Sequence, residues 1–506
     1  MAATRLHEPL SKVDTAWLHM NAPTNLMMVT SVLLFDEQVD EARLRRVMHA
    51  RMLPYARFRQ RIVTPLRRFR EPTWELVEDF DLDDHLHHVS LPAPGGESEL
   101  RKLVGLLMST PLDQRKPLWD MHMVDGYCEG TAIVVRIHHS IADGIALVRL
   151  LLSLTDSERD AEADGGIPVW KRYEAATKYR RASNGHRLAG LARLGLREAQ
   201  QTLRHPLRGV EMVRSAAGSL AAFVRVSTLP AEPRMALKGQ LSTRKKPAWS
   251  KPIPLDGVKA IAHQVDGTVN DVLVTATAGA IRRYLLERGD DVDGLTIHAT
   301  VPVNLRPPSG RIELGNHFGL VYPALPIGIP DPLGRLRAVK QQMDALKASP
   351  EAVMAMGVLN ILGRSPIPVE RAALELFTSK SSMVLTNVPG PRTLLFYGGS
   401  PIRRILVWAP PSGSLSMSVS IHSYAGEVTV GVASDVRLVP DPEHIVDAVH
   451  AELEALGEAA RPRPPAPRPR KRAKPAPRRI SGRRGRAASA AETPRQAEAI
   501  PGREKN

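Results

Sequence analysis

Two adjacent histidines open the run His138-His139-Ser140-Ile141-Ala142-Asp143-Gly144, and their types and spacing are the chain's best equipment for chemistry. An imidazole gains and loses a proton near neutral pH, its ordinary pKa being about 6.5. Held against a hydroxyl, it can draw off the proton while the oxygen attacks a carbonyl, which is what acyl transfer to an alcohol requires. The flanking residues say how such a ring would be held. Thr131–Ile137 is a nearly continuous apolar, β-branched run, the pattern of a buried strand. Ile145–Leu154 carries Ile, Leu and Val at helical spacing. The pair therefore stands where a strand ends and a helix begins, on a scaffold stiff enough to aim side chains.

Around this point the first part of the chain reads as an α/β unit. Met28–Phe35 and Trp119–Val124 are further strand candidates, and Leu100–Leu107 is a helix candidate. Asp40–Met52 is another, with Asp40 placed to cap its start. Lys171–Ser227 is polar and arginine-rich with helical spacing of Leu, Ala and Val, and reads as one or more long connecting helices. Leu229–Pro254 holds five prolines and reads as a linker. A second α/β unit follows. Thr268–Glu287 is a helix whose Thr268 and Asp271 are spaced as a capping box. Leu295–Val303, Ser382–Val388, Leu415–His422 and Glu427–Ser434 are strand candidates, the last two forming a hairpin about Tyr424-Ala425-Gly426. Asp441-Pro442 starts a final helix, and Gly457 fits its stop. The expected organisation is a first lobe over 1–160, a helical connector and linker over 161–253, a second lobe over 254–459, and a tail over 460–506.

Composition narrows the possibilities. A chain of 506 residues is too long for one ordinary core. One cysteine, Cys128, permits neither a disulfide within the chain nor a thiolate metal cluster, and nothing beside it suggests an activated thiol. The first residues contain no apolar segment of a secretory signal, and no charge-free apolar run is long enough to span a bilayer. The expected setting is the cytoplasm, with any contact to a membrane or lipid-inclusion surface peripheral. The formal charge of +16 is concentrated, because Arg461–Asn506 holds fifteen Lys and Arg against three Asp and Glu. That proline- and arginine-rich stretch has too little apolar surface to fold alone. It suits anionic lipid headgroups, where each basic residue is worth about 1 kcal/mol. A solvated extension is the plainer alternative, and nucleic acid the weakest, since no aromatics are interleaved to stack on bases.

Other chemistries find little support. His138, His139 and Asp143 lack a zinc-binding spacing, and His85, His87 and His88 lie in acidic sequence expected to be exposed; no metal is expected at either. Patterns for a nucleophile elbow, a P-loop or a dinucleotide turn are absent from the sequence.

Several separated blocks together resemble the bacterial wax ester synthase/acyl-CoA:diacylglycerol acyltransferase family. They are Pro9-Leu10-Ser11 with Asp14, Pro117-Leu118-Trp119, the histidine motif and Asn270-Asp271. Further on come Pro302-Val303-Asn304-Leu305-Arg306, Gly315-Asn316-His317-Phe318-Gly319 and Thr386-Asn387-Val388-Pro389-Gly390-Pro391. The order and spacing hold over about Leu10–Leu456, and the basic tail lies outside the pattern. Leu26-Met27-Met28 stands where many members have Pro-Met-His.

The resemblance implies an α/β fold of two chloramphenicol-acetyltransferase-like lobes with mixed sheets, and an active-site channel between them. It implies transfer from acyl-CoA, a substrate rather than a cofactor, to diacylglycerol or a long-chain fatty alcohol. His139 would be the general base and would return the proton to the departing thiolate. His138 would be a neighbour turned away. Asp143 would hold the loop through Arg306, and Gly144 would permit close backbone approach. Backbone N–H groups near Gly144 and the Asn270 side chain are candidate oxyanion donors. Asn270 and Asp271 would shape the second half of the site, with Asp271 alternatively only capping its helix. Trp119 would pack the lobe or line the substrate passage. Two other outcomes remain open: a weakly active lipid-surface binding protein on the same scaffold, and transfer to a different hydroxyl or amine.

Overall fold

The computed structural model describes residues 7–65, 71–161, 231–305, 314–347 and 365–461. Arg306, the Lys171–Ser227 helices and the tail beyond Arg461 lie outside the described residues. The architecture is mixed α/β, built on two mixed sheets with a small three-stranded sheet at the side.

The first sheet is assembled from β2 (Met28–Phe35), β5 (Leu86–Ser90), β6 (Trp119–Tyr127) and β7 (Gly130–His138), joined by β14 (Phe396–Tyr397) and β15 (Ser400–Trp408). Its order is β14-β15-β2-β7-β6-β5, antiparallel except for the β5–β6 pair. Strand β2 is apolar along both faces because both are covered. One face packs α2 (Glu41–Arg51) and α4 (Gly144–Leu154) through Leu33, Met121, Ile133, Leu44 and Leu150. The other packs α3 (Glu97–Ser109) through Val32, Val134, Leu100 and Val104. Short polar side chains set the helix starts. Ser11 caps α1 (Lys12–His19) and accepts from the Asp14 N–H; Asp40 caps α2 and accepts from the Arg43 N–H.

The second sheet contains β8 (Lys245–Trp249), β10 (Ile297–Asn304), β11 (Phe318–Val321), β13 (Met383–Pro389), β16 (Met417–Tyr424) and β17 (Glu427–Asp435), in the order β11-β10-β13-β16-β17-β8. The β16–β17 hairpin turns at Ala425-Gly426. Two long helices back the sheet: α6 (Val269–Glu287), opened by the Thr268–Asp271 capping box, and α9 (Pro442–Ala460). They pack closely through Ala276, Ile281, Val446 and Val449.

Three expectations need correcting. The stretch taken as a linker supplies an edge strand, β8, whose Pro247 is tolerated there because an edge position needs no second row of N–H donors. Strands β14 and β15, from the second half of the sequence, complete the first sheet, with Ile405 opposite Leu33; the boundary at 254 divides the chain but not the sheets. Gly457 does not stop α9, which runs on to Ala460. A shared apolar cluster of Val32, Leu34 and Ala132 with Trp249, Trp408 and Ala433 adds to the β15–β2 pairing in joining the halves.

Where α6 meets α9, Glu452 is buried and accepts hydrogen bonds from Arg283 and from the equally buried Arg335. Removing one member of a buried pair strands the other charge. Glu452→Ala is therefore expected to lower the unfolding free energy by about 3–5 kcal/mol, measured as a shifted urea midpoint. An unchanged midpoint would show that Arg335 needs no counter-charge.

Candidate active site

The histidine motif folds as its sequence pattern requires. Strand β7 ends at His138, and Asp143 caps α4 by accepting from the Ala146 N–H at 2.9 Å. The four residues between them make a tight loop held on both sides. The His139 N–H donates to the Met27 carbonyl at 2.7 Å, and the Ile141 N–H to the His138 carbonyl at 3.0 Å.

A second loop, from the other half of the chain, is bonded directly to the first. The Gly315 N–H donates to the Ile141 carbonyl at 3.0 Å, and the Asp143 N–H donates back to the Gly315 carbonyl at 3.3 Å. The second carboxylate oxygen of Asp143 accepts from the His317 N–H at 2.9 Å. Gly315 sits at φ +98°, a left-handed backbone that a side chain would strain. Next to it, buried Asn316 reaches between the halves. Its Oδ1 is 2.9 Å from His139 Nδ1, and its Nδ2 donates to Asp14 Oδ1 at 2.7 Å and to the His139 carbonyl at 2.8 Å.

The His139 ring is 6% exposed. It stacks on Trp17 of α1 with centroids 4.2 Å apart and planes 18° from parallel, and Phe318 of β11 closes a tilted contact at 5.5 Å. Burial lowers its pKa below the ordinary imidazole value, partly opposed by the negative charge of Asp143. The ring is neutral at physiological pH and ready to accept a proton. Burial likewise raises the Asp14 carboxyl above the usual aspartate value, against the pull of its hydrogen bonds to Ser11 and Asn316. His138 is different. Its Nδ1 accepts from the Ser140 N–H at 3.2 Å and lies 2.8 Å from the Ser140 hydroxyl, while its Nε2 is buried without a partner. Burial and the neighbouring His139 hold its pKa down to about 3.

The other singled-out residues separate into groups. Asp143 serves the loop by accepting from the His317 backbone N–H, and the expected contact with Arg306 falls outside the described residues. Gly144 is exposed, and a Cβ placed on it would meet nothing within 4 Å. Among the described residues, none makes the close approach expected at Gly144. Asn270 accepts from the Asn387 amide at 2.8 Å, linking the Asn-Asp block to the NVPGP block. Asp271 is buried and closes the capping box of α6. Trp119 is buried in the first lobe, donating to the Phe58 carbonyl at 2.9 Å and stacking on His85 at 4.5 Å. His85, expected to be exposed, is buried between Trp119 and Phe80, and its Nδ1 lies 2.7 Å from the Trp119 carbonyl. His87, Asp120 and His122 do converge. Yet the Asp120 carboxylate is already bidentate to the buried Arg136 guanidinium, whose positive charge opposes a cation at that point. Asn316, the residue that touches His139 most directly, is not among those the spacing singled out; its only signal was its place in the Gly315-Asn316-His317-Phe318-Gly319 block.

Comparison with known proteins agrees with this geometry. Residues 10–273 match the wax ester synthase/diacylglycerol acyltransferase catalytic domain, and residues 314–457 match the WS/DGAT C-terminal domain. A probable diacylglycerol O-acyltransferase of Mycobacterium tuberculosis is 30% identical over 396 residues, 77% of this chain and 82% of the relative. Among solved structures, the wax ester synthase/diacylglycerol acyltransferase from Marinobacter aquaeolei superposes with a TM-score of 0.63 at 21% identity, over 90% of this chain and 100% of that one. The first condensation domain of the calcium-dependent antibiotic synthetase superposes at 0.57 with 13% identity, over 91% of this chain and 97% of that one. These two likenesses concern the fold.

The buried histidines make folding sensitive to acid. His138 is held at about 3, and His122 and His422 at about 4, by loss of hydration. An unfolded histidine takes up its proton near pH 6.5, before the folded one does, so protons favour the unfolded chain from that pH downward. The thermal midpoint is expected to fall steadily as the pH is lowered from about 7 to about 5. Scanning fluorimetry at several pH values checks this, and a flat midpoint over that interval would contradict it.

Proposed function

The chain belongs to the wax ester synthase/diacylglycerol acyltransferase family, and from that premise we propose that it transfers a fatty acyl group from acyl-CoA to the hydroxyl of diacylglycerol or of a long-chain alcohol, with His139 as general base. The observation that carries the assignment is the placing of the second histidine. Its ring is neutral, walled by Trp17 and Phe318, and bonded at Nδ1 to Asn316 of the other half.

The acceptor hydroxyl gives its proton to His139 as its oxygen forms a bond to the thioester carbonyl carbon. A positioned base of this kind contributes about 10²–10⁴-fold. The carbonyl oxygen becomes an oxyanion, for which the N-terminus of α4 offers the Gly144 backbone N–H, which has no partner within its own helix. When the carbon–sulfur bond breaks, the CoA thiolate takes the proton back from His139, leaving an ester and free CoA. His138 stays neutral and supports the loop through Ser140.

Purified protein given acyl-CoA and either a diacylglycerol or hexadecanol is expected to release CoA and form the matching neutral lipid, resolved by lipid chromatography. His139→Ala is expected to lose about 10²–10⁴-fold or more in kcat with the fold retained. Turnover near the wild-type rate in that variant would remove His139 from the mechanism.

No helix among the described residues is long and apolar enough to cross a membrane. The basic stretch Arg461–Asn506 supplies a charge for meeting a lipid surface where such substrates reside. Its deletion is expected to weaken sedimentation with anionic vesicles at low salt, and high salt should do the same to the full chain. Binding that survives both treatments would locate membrane attachment elsewhere.

A further inference from the structure

We propose that Asn316, braced by Asp14, is the positioning residue that fixes His139 with its proton on Nδ1 and its lone pair on Nε2. This rests on the reading of His139 as the base, and it identifies what aims that base. The argument begins with a group whose role is not adjustable. The backbone carbonyl of His139 can only accept, so the nitrogen of the Asn316 amide must face it. The same nitrogen's second hydrogen goes to Asp14 Oδ1. Oδ1 of Asn316 is thereby turned to Nδ1 of His139 at 2.9 Å. An amide oxygen also only accepts, so Nδ1 carries the hydrogen and the neutral ring keeps its lone pair on Nε2.

The neighbours support this division. His138 is held the opposite way, since the Ser140 N–H donates to its Nδ1 and places its own proton on the partnerless Nε2. Asp143, the carboxylate of the motif, accepts from the Ala146 and His317 backbones and so ties α4 to the other half. The stack on Trp17 restrains the ring against tilting. Among the described residues, the titratable groups around His139 are Asp14 from α1, His138 and Asp143 from its own loop, and His317 from the facing loop. The amide thus orients the ring without setting a charge against it.

The test compares Asn316→Ala, Asp14→Ala and Asp14→Asn with the full-length protein, using acyl-CoA and whichever acceptor the native chain turns over. Asn316→Ala is expected to lower kcat about 10²-fold by misplacing the base, with KM little changed. Its acid limb should move to lower pH, because the lost hydrogen bond favoured the protonated ring. Asp14→Ala should follow it in part, whereas Asp14→Asn should keep most activity, since its amide oxygen still accepts from Asn316. Where a variant fails to fold, isotope-labelled histidine in the native protein reports the ring directly, and a proton found on Nε2 of His139 overturns the proposal. So does an Asn316→Ala enzyme whose kcat is unchanged, or one whose acid limb stays in place while activity falls only with the folded fraction. If His139→Ala is itself active, the parent reading fails, and the Asn316 result is judged by the histidine spectra alone.

Discussion

The structure turns on one hydrogen-bonded contact, the pairing of the His139–Asp143 loop with residues 314–317. Five bonds cross it within a few residues: Gly315 to Ile141, Asp143 to Gly315, His317 to Asp143, and Asn316 to both the His139 backbone and its ring. Such a cluster is worth more than its separate members, because each bond restricts the geometry of the next and little water competes. The larger attachments, β15 added to β2 and the apolar cluster around Trp408, bring the halves together coarsely. The loop contact sets the position of the imidazole. The ring is therefore fully held only when the two halves are docked, although both histidines lie in the first.

Placing an amide rather than a carboxylate against His139 has an electrostatic consequence. A carboxylate on Nδ1 would favour the imidazolium and keep the ring protonated up to higher pH. An amide gives direction without net charge, while burial keeps the ring neutral. The charge is set one residue further back, on Asp14, where burial also weakens it. The first lobe treats its other buried charges differently. Arg136 satisfies Asp120 and also donates to the carbonyls of Leu107 and Thr110 at the end of α3, so a paired guanidinium anchors that helix to the sheet.

Much of the fold was legible because local chemistry and tertiary structure agree. Strands β2, β6, β7, β16 and β17 follow their apolar runs, and Asp40, Asp143 and Thr268 cap the helices their positions announced. The misreadings occur where context decides. Prolines hid β8, which survives as an edge; α9 passes Gly457, a residue that tolerates helical backbone as well as it ends it; and β15 joins the sheet of the other half, which no periodicity reveals. His85 looked exposed among aspartates, yet two aromatic rings enclose it. The histidine motif was readable from type and spacing. Asn316 was not, since a single amide in a loop has no pattern of its own, and its importance lies in contacts 177 and 302 residues away along the chain.

The same geometry bears on whether the acyl group ever resides on the protein. Cys128 lies in the exposed β6–β7 turn, at the far end of the nine-residue strand β7 from the histidines. At about 3.3 Å per residue, that is more than 20 Å away. Ser140 is close, but its side chain is fully buried and its hydroxyl is turned to His138, whose pKa is too low to make a useful base. Neither residue presents an accessible nucleophile next to a basic nitrogen, the pairing that covalent catalysis needs. What is present is a neutral imidazole oriented from behind and, beside it in the chain, the N-terminus of α4. On the proposed function, that combination favours direct attack by the acceptor oxygen on bound thioester, with acyl-CoA and the lipid alcohol held in the site together.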